Sequence, residues 1–386
     1  MRTIRRLFLL CVCAALLCSA AFAETGIIDL GNCEYSENFL KYCRLPDGRL
    51  VFAGFQGTMK DNMGDKARLL CLNPDGSVSW EYLDDKADGF LDVTVTKENT
   101  LAALYDRGVK FFSLDGTPTG KKLSLLPADG FYDVTPGGVM VCHREDSAVA
   151  TYLEMLDWDG NVLFRVDEPE SMWVGSEPIE EEDGLVLFGQ AAGDPAEAPA
   201  KVTKIDYQGN KVWETILPFL SEKRWNTGIS GETKTEDGGY LGILWDYVEV
   251  PGTEDSETHR ALVKLDAKGQ VLWTKDQGDD LWLAAEYDGK YVAQSHDYDP
   301  ATDVSSFLYQ WFDTEGNELG KTNYAIREEE LPRFVDRKNW DATVEDLIPT
   351  ENGLWQRFTF WEVDDPEEEA AASFCQDTGL APVPVL

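Results

Sequence analysis

Along most of the chain, apolar and polar residues alternate in runs of about four to eight positions, each bounded by Gly, Asp, Asn or Pro. A period of two marks half-buried strands, and no sustained helical period interrupts it. The runs recur as a unit. One signature is an apolar run ending in Asp, a turn containing Gly, and a second run with an aromatic four residues after that Gly. It reads LLCLNPDGSVSW at 69–80, LEMLDWDGNVLF at 153–164, VTKIDYQGNKVW at 202–213 and LVKLDAKGQVLW at 262–273. Weaker copies are KFFSLDGTPTG at 110–120, YQWFDTEGNELG at 309–320 and SFCQDTGLAPV at 373–383. Seven short apolar strands, each opened by an Asp-, Asn- or Gly-rich turn, precede these copies, among them EDGLVLFG at 182–189 and DGGYLGIL at 237–244.

Seven copies of a four-strand unit, averaging about 52 residues, predict an all-β chain folded as a β-propeller of seven four-stranded blades. A lone blade cannot bury both faces of its sheet, so the copies must stack radially and cover one another. The expected division is a leader at 1–23 and one propeller domain at 24–386. Its blades are expected near 33–84, 85–126, 127–168, 169–218, 219–277, 278–325 and 326–386. The Ile27-Ile28-Asp29-Leu30 run is expected to pair with the last blade and close the ring.

The alternation of DGG-apolar with apolar-Leu-Asp-x-x-Gly-x-x-x-Trp resembles the secreted bacterial propellers whose repeats read DGGY…LD-x-x-G-x-x-x-W. More distantly, it is similar in architecture to the tryptophan-docking repeats of pyrroloquinoline-quinone propellers. The resemblance spans nearly all of the chain after the leader. It implies a fold and no activity, because propellers host enzymes, binders and scaffolds alike. Adjacent cysteines, expected of a quinoprotein, are absent.

The most regular residues read as structural. Trp80, Phe164, Trp213 and Trp273 share one position of the repeat and are expected to pack between blades. Asp157, Asp206, Asp266 and Asp313 precede the turn glycines 160, 209, 269 and 316, which is hairpin chemistry. Function is expected where the copies diverge. Turns joining strands 1–2 and 3–4 are short and uniform. The connections at 55–66, 189–199, 218–228, 246–259, 295–304, 325–341 and 362–370 are long and irregular, and they gather on the opposite face. Trp225, Trp245, Tyr247, Tyr298, Trp340 and Trp361 lie in or beside them and are the candidate ligand-binding residues, with Asp246, Asp255, Asp297 and Asp299 interleaved.

Residues 1–23 read as a cleavable export leader: Arg2, Arg5 and Arg6, an apolar run from Leu7 to Leu17, then Ala21-Phe22-Ala23. A secreted or extracytoplasmic protein is therefore expected, without a membrane span. Loss of those three arginines takes the net charge from −37 to −40, a surface that repels nucleic acid and anionic membranes. Cys33, Cys43, Cys71, Cys142 and Cys375 never adopt the C-x-x-C spacing of a zinc or redox site. The segment His296-Asp297-Tyr298-Asp299, with Asp303 nearby, would favour calcium over a transition metal, but no D-x-D-x-D-G loop accompanies it and no cofactor is expected. His143, His259 and His296 are the only histidines, none of them in a nucleophile-elbow context. No catalytic residue is identified. The expected function is a non-catalytic, monomeric binding propeller recognising a glycan, peptide or protein on its long-loop face. The alternative is a glycoside hydrolase or lyase using carboxylates at the channel mouth.

Overall fold

A computed structural model describes residues 27–31, 37–57, 66–125, 130–144, 150–167, 173–174, 178–191, 196–250, 256–278, 281–299, 304–327, 331, 340–362 and 376–386. The leader at 1–23 lies outside them. Seven antiparallel sheets form the blades of a closed propeller, and no helix occurs among the described residues.

Blade 1 comprises Glu37–Arg44, Leu50–Gln56, Lys66–Leu72 and Val78–Asp84, and blade 2 Phe90–Val95, Leu101–Tyr105, Gly108–Phe112 and Pro118–Ser124. Blade 3 comprises Gly130–Thr135, Gly138–Arg144, Ala150–Leu156 and Val162–Asp167. The first strand of blade 4 is interrupted, Trp173–Val174 then Ile179–Glu181, before Gly184–Gln190, Ala200–Asp206 and Lys211–Ile216. Blade 5 holds Arg224–Lys234, Tyr240–Glu249, Ser256–Leu265 and Val271–Gly278, and blade 6 Leu281–Tyr287, Lys290–Asp299, Val304–Phe312 and Glu318–Ala325. Blade 7 takes Trp340–Thr350, Gly353–Glu362 and Gln376–Pro382 from the end of the chain. Its fourth strand is Ile28–Asp29, paired antiparallel with Gly379 and Leu380, as the Ile27–Leu30 run led us to expect. SFCQDTGLAPV therefore does not form the two-strand hairpin of the other copies. The start of the chain supplies the outer strand, so the usual turn is not needed there.

The first strands line the inner wall of the ring, where those of blades 1 and 2, 2 and 3, 5 and 6, and 6 and 7 contact one another. Second and third strands are buried almost throughout, as in LVLFGQ of blade 4, whereas fourth strands alternate between exposed and half-buried positions. Apolar clusters fill the space between successive sheets rather than one central core. Leu241, Ile243 and Leu262 of blade 5, for example, pack on Leu281, Ala284 and Tyr291 of blade 6.

The repeat aromatics carry the contact between blades. Trp80, Trp213 and Trp273 lie against Gly116, Gly269 and Gly316, the 3–4 turn glycines of the following blade. Trp80 and Trp273 also donate their indole N–H to Leu114 O and Thr314 O of those turns, at 3.3 and 3.2 Å. Leu123 takes the same place against Gly160, and Ile28 against Gly76 across the closure of the ring. The turn aspartates behave as hairpin chemistry requires: Asp206 accepts the side-chain amide of Asn210 at 3.0 Å and, on Oδ1, the N–H of Gln208 and of Asn210 at 2.9 and 2.8 Å, which together hold its carboxyl below the usual range. Cys43, Cys71 and Cys142 are free thiols. Cys43 and Cys71 both stand opposite Val51 in flanking strands, about 10 Å apart by sheet spacing and beyond disulfide reach.

Candidate functional site

The first three strands of blade 5 run to 11, 10 and 10 residues, longer than those of blade 4, and extend into the long-loop face. The sequence reading assigned 218–228 and 246–259 to loops. Instead the first strand begins at Arg224, the second continues to Glu249, and the third starts at Ser256. Trp245 and Tyr247, two apart on one strand, share the face that turns toward blade 6. The Trp245 indole lies flat on Gly228 of the first strand, a position where any side chain would collide with it. Trp225 is the extra residue of a bulge between Arg224 and Asn226, which turns its side chain out of the sheet. It stacks on Tyr247 at 5.4 Å between ring centres and 17° between planes, and Trp245 closes on the other side of Tyr247 at 4.9 Å.

Directly opposite Trp245 in the third strand is Arg260, whose guanidinium lies 3.9 Å from the ring centre of Trp282 in blade 6. Trp282 is itself a bulge residue, between Leu281 and Leu283, and is 53% exposed; Trp225 is 42% exposed. The result is a ladder of Trp225, Tyr247, Trp245, Arg260 and Trp282 across the seam of blades 5 and 6, with an open indole at each end.

Three of the six candidate residues thus meet: Trp225, Trp245 and Tyr247. Trp340 is separate, packed against Phe360 in the core between blades 6 and 7. The side chains of Tyr298 and Trp361 lie outside the described residues, as do those of Asp297 and Asp299 and the whole of Asp255 and Asp303. Asp246 points the opposite way from Trp245. It is fully buried, and its Oδ2 accepts the N–H groups of Leu220 and Ser221 at 2.7 Å each, pinning the connection into blade 5. Sequence reading missed Trp282 and Arg260, because nothing in DLWLAAEY marks the bulge that turns the tryptophan outward.

The inner wall carries a second, acidic group. Asp92 and Asp133 occupy matching places in DGFLDVT and DGFYDVT of blades 2 and 3. Burial pushes Asp92 up to about 7 and Asp133 to about 6; the neighbouring Asp133 charge adds to the first shift, while Lys41 opposes both. Both Asp92 oxygens are engaged: Oδ1 accepts the N–H of Val93 at 2.7 Å, and Oδ2 that of Val134 on the next blade at 2.9 Å. In blade 7, Asp346 accepts from Arg357 Nε at 2.5 Å. Among the described residues no group of three or more His, Cys, Asp or Glu is placed to hold a metal ion.

No protein-family model and no curated protein matches the chain. Solved structures do. A streptogramin B lyase aligns over 92% of this chain and 97% of its own, at 13% identity and a TM-score of 0.46. The β-propeller domain of the Trilobed protease from Pyrococcus furiosus covers 87% and 99%, at 10% and 0.47. A protein of unknown function from Bacteroides caccae covers 67% and 90%, at 14% and 0.37. At such identities these are likenesses of fold alone.

Proposed function

We propose that this chain is an exported propeller that binds a glycan, without transforming it, at the seam of blades 5 and 6. The observation that carries the reading is the pair of open indoles, Trp225 and Trp282, at the two ends of one aromatic ladder. Large apolar side chains left in solvent together on a rigid scaffold mark interaction sites. An indole offers a flat apolar face to the CH side of a sugar ring and an N–H to its hydroxyls. The leader-like residues 1–23 support export.

The test is a glycan array probed with residues 24–386 and with Trp225→Ala and Trp282→Ala. Binding that falls at least tenfold in either variant, with the fold intact by circular dichroism, is the expected result. Binding unchanged in both would sink the reading. Trp245 and Trp340 are poor probes because each also packs against the sheet.

The enzymatic alternative draws on Asp92 and Asp133, two carboxyls that keep a proton into the neutral range and so have the acidity of a general acid. It is weakened because Asp92 already spends both oxygens on backbone donors. Hydrolysis of whichever glycan the array returns, abolished by Asp133→Asn, would favour it.

A further inference from the structure

We propose that the cleft between blades 1 and 2 is a second binding site, one that takes a short acidic saccharide by its carboxylate or sulfate. The cleft measures about 470 Å³ and lies between the fourth strand of blade 1 and the third and fourth strands of blade 2. That is within the range of roughly 300–1,000 Å³ typical of small-ligand sites. One residue of its lining lacks the side chain usual at its place in the repeat. Gly120 stands four residues after the turn glycine Gly116, where the other strong copies carry Trp80, Phe164, Trp213 or Trp273. The space where its side chain would begin is open.

The lining also reverses the charge of the chain. Acidic residues outnumber basic ones 71 to 34 overall, yet the cleft is walled by Lys86, Arg107, Lys110, Lys121 and Lys122 against Asp84 and Asp85 alone. Lys110 is answered by Asp84, Arg107 by Asp106 and Lys121 by Asp159, the last two being exposed pairs that bind weakly. Among the described residues Lys86 and Lys122 have no ion pair. Lys122 also stands directly opposite Lys110 in the neighbouring strand, an arrangement that like charge disfavours and a bound anion would relieve.

The volume far exceeds one inorganic anion, and the half-buried Tyr82 and Tyr105 supply ring surface and hydroxyls beside the cations. A long polyanion is disfavoured, because the remaining surface of a chain at −37 repels it; a ligand with one or two charges is not.

The experiment is titration calorimetry of residues 24–386 with digalacturonate, a sulfated disaccharide, lactose and sodium sulfate. Wild type, Lys86→Glu/Lys122→Glu and Lys268→Glu/Lys321→Glu are compared. An acidic disaccharide should bind while lactose does not, the lysine double variant should lose about tenfold or more in affinity, and the charge-matched Lys268→Glu/Lys321→Glu, at exposed lysines of blades 5 and 6, should bind as wild type. The proposal is overturned if no acidic probe binds, if lactose binds equally, or if the lysine variant is unaffected. Sulfate alone matching the disaccharides overturns the saccharide class. An equal loss in Lys268→Glu/Lys321→Glu overturns it too, by showing that overall charge and not the cleft holds the ligand.

Discussion

The indole of Trp213 lies flat on the Cα of Gly269, the turn glycine of the next blade, and leaves no room for even a methyl group. Gly269 also has φ +77, so an alanine there meets two separate penalties, strained backbone and a displaced ring. Gly269→Ala should therefore cost about 2–4 kcal/mol. Gly120→Ala is the internal control, because φ is +83 but the side-chain space is open; it should cost about 1–2 kcal/mol. Urea midpoints of the two variants compare them, and equal shifts would show that docking of the tryptophan contributes nothing.

The outer clasp of the ring is very little chain, added to a core that blades 7 and 1 already share. Ile28 covers Gly76, Leu30 is buried, and the Leu30 carbonyl accepts from Arg68 Nη2 at 3.0 Å. Burial of two such side chains contributes about 3–6 kcal/mol. Removal of residues 27–31 should lower stability on that scale and broaden the unfolding transition as blades 7 and 1 separate. A deletion that melts like the intact protein would mean that the ring is held by blades 1 to 7 without its outer clasp.

Glu181 joins three elements: it accepts from Lys204 at 2.6 Å, Lys234 at 2.7 Å and the Tyr240 hydroxyl at 2.9 Å. These partners outweigh its desolvation and hold its carboxyl below the usual range. An acid whose folded pKa is depressed stabilises the fold above its unfolded pKa and loses that contribution as pH falls through the folded value. Glu181→Gln should destabilise the protein at pH 7 and make less difference below pH 4. A penalty equal at both pH values would mean that the carboxylate charge is irrelevant to the network.

The repeat architecture was legible because each blade must solve the same local problems with the same residues. An Asp closes the turn, a Gly accepts positive φ, and an aromatic or aliphatic side chain covers the next glycine. What was not legible depends on single-residue insertions and on direction. The bulges at Trp225 and Trp282 aim two indoles into solvent, and no composition rule distinguishes them from a strand tryptophan such as Trp311, which is fully buried. Asp246 looked like a ligand contact because aromatics flank it, but strand alternation sends it to the opposite face. Lys204 and Lys264, matched in the repeats VTKIDYQG and LVKLDAKG, reach Glu181 and Asp237 at the 1–2 turns of their blades, a pairing too distant in sequence to foresee.

Asp92 and Asp133 should give the protein a second pH dependence, opposite in sign to that of Glu181. Burial raises their folded pKa values to about 7 and about 6, from an ordinary value of 3.8. Between the unfolded and folded values the native state holds the extra protons, so stability falls as pH rises through that window. Depressed carboxylates such as Glu181 oppose the trend only at its acid end, below about pH 6, where the unfolded chain still binds protons. Stability should drop by on the order of 4 kcal/mol between pH 5 and pH 8. Asp133→Asn should remove part of that slope. Asp92→Asn should also flatten it but lower stability at pH 5 by about 1 kcal/mol, because an amide can accept only one of the two N–H groups that Val93 and Val134 present. Chemical denaturation at three pH values measures both effects. A wild type equally stable at pH 5 and pH 8 would mean that these carboxyls titrate normally, which would remove the general-acid character on which the enzymatic alternative rests.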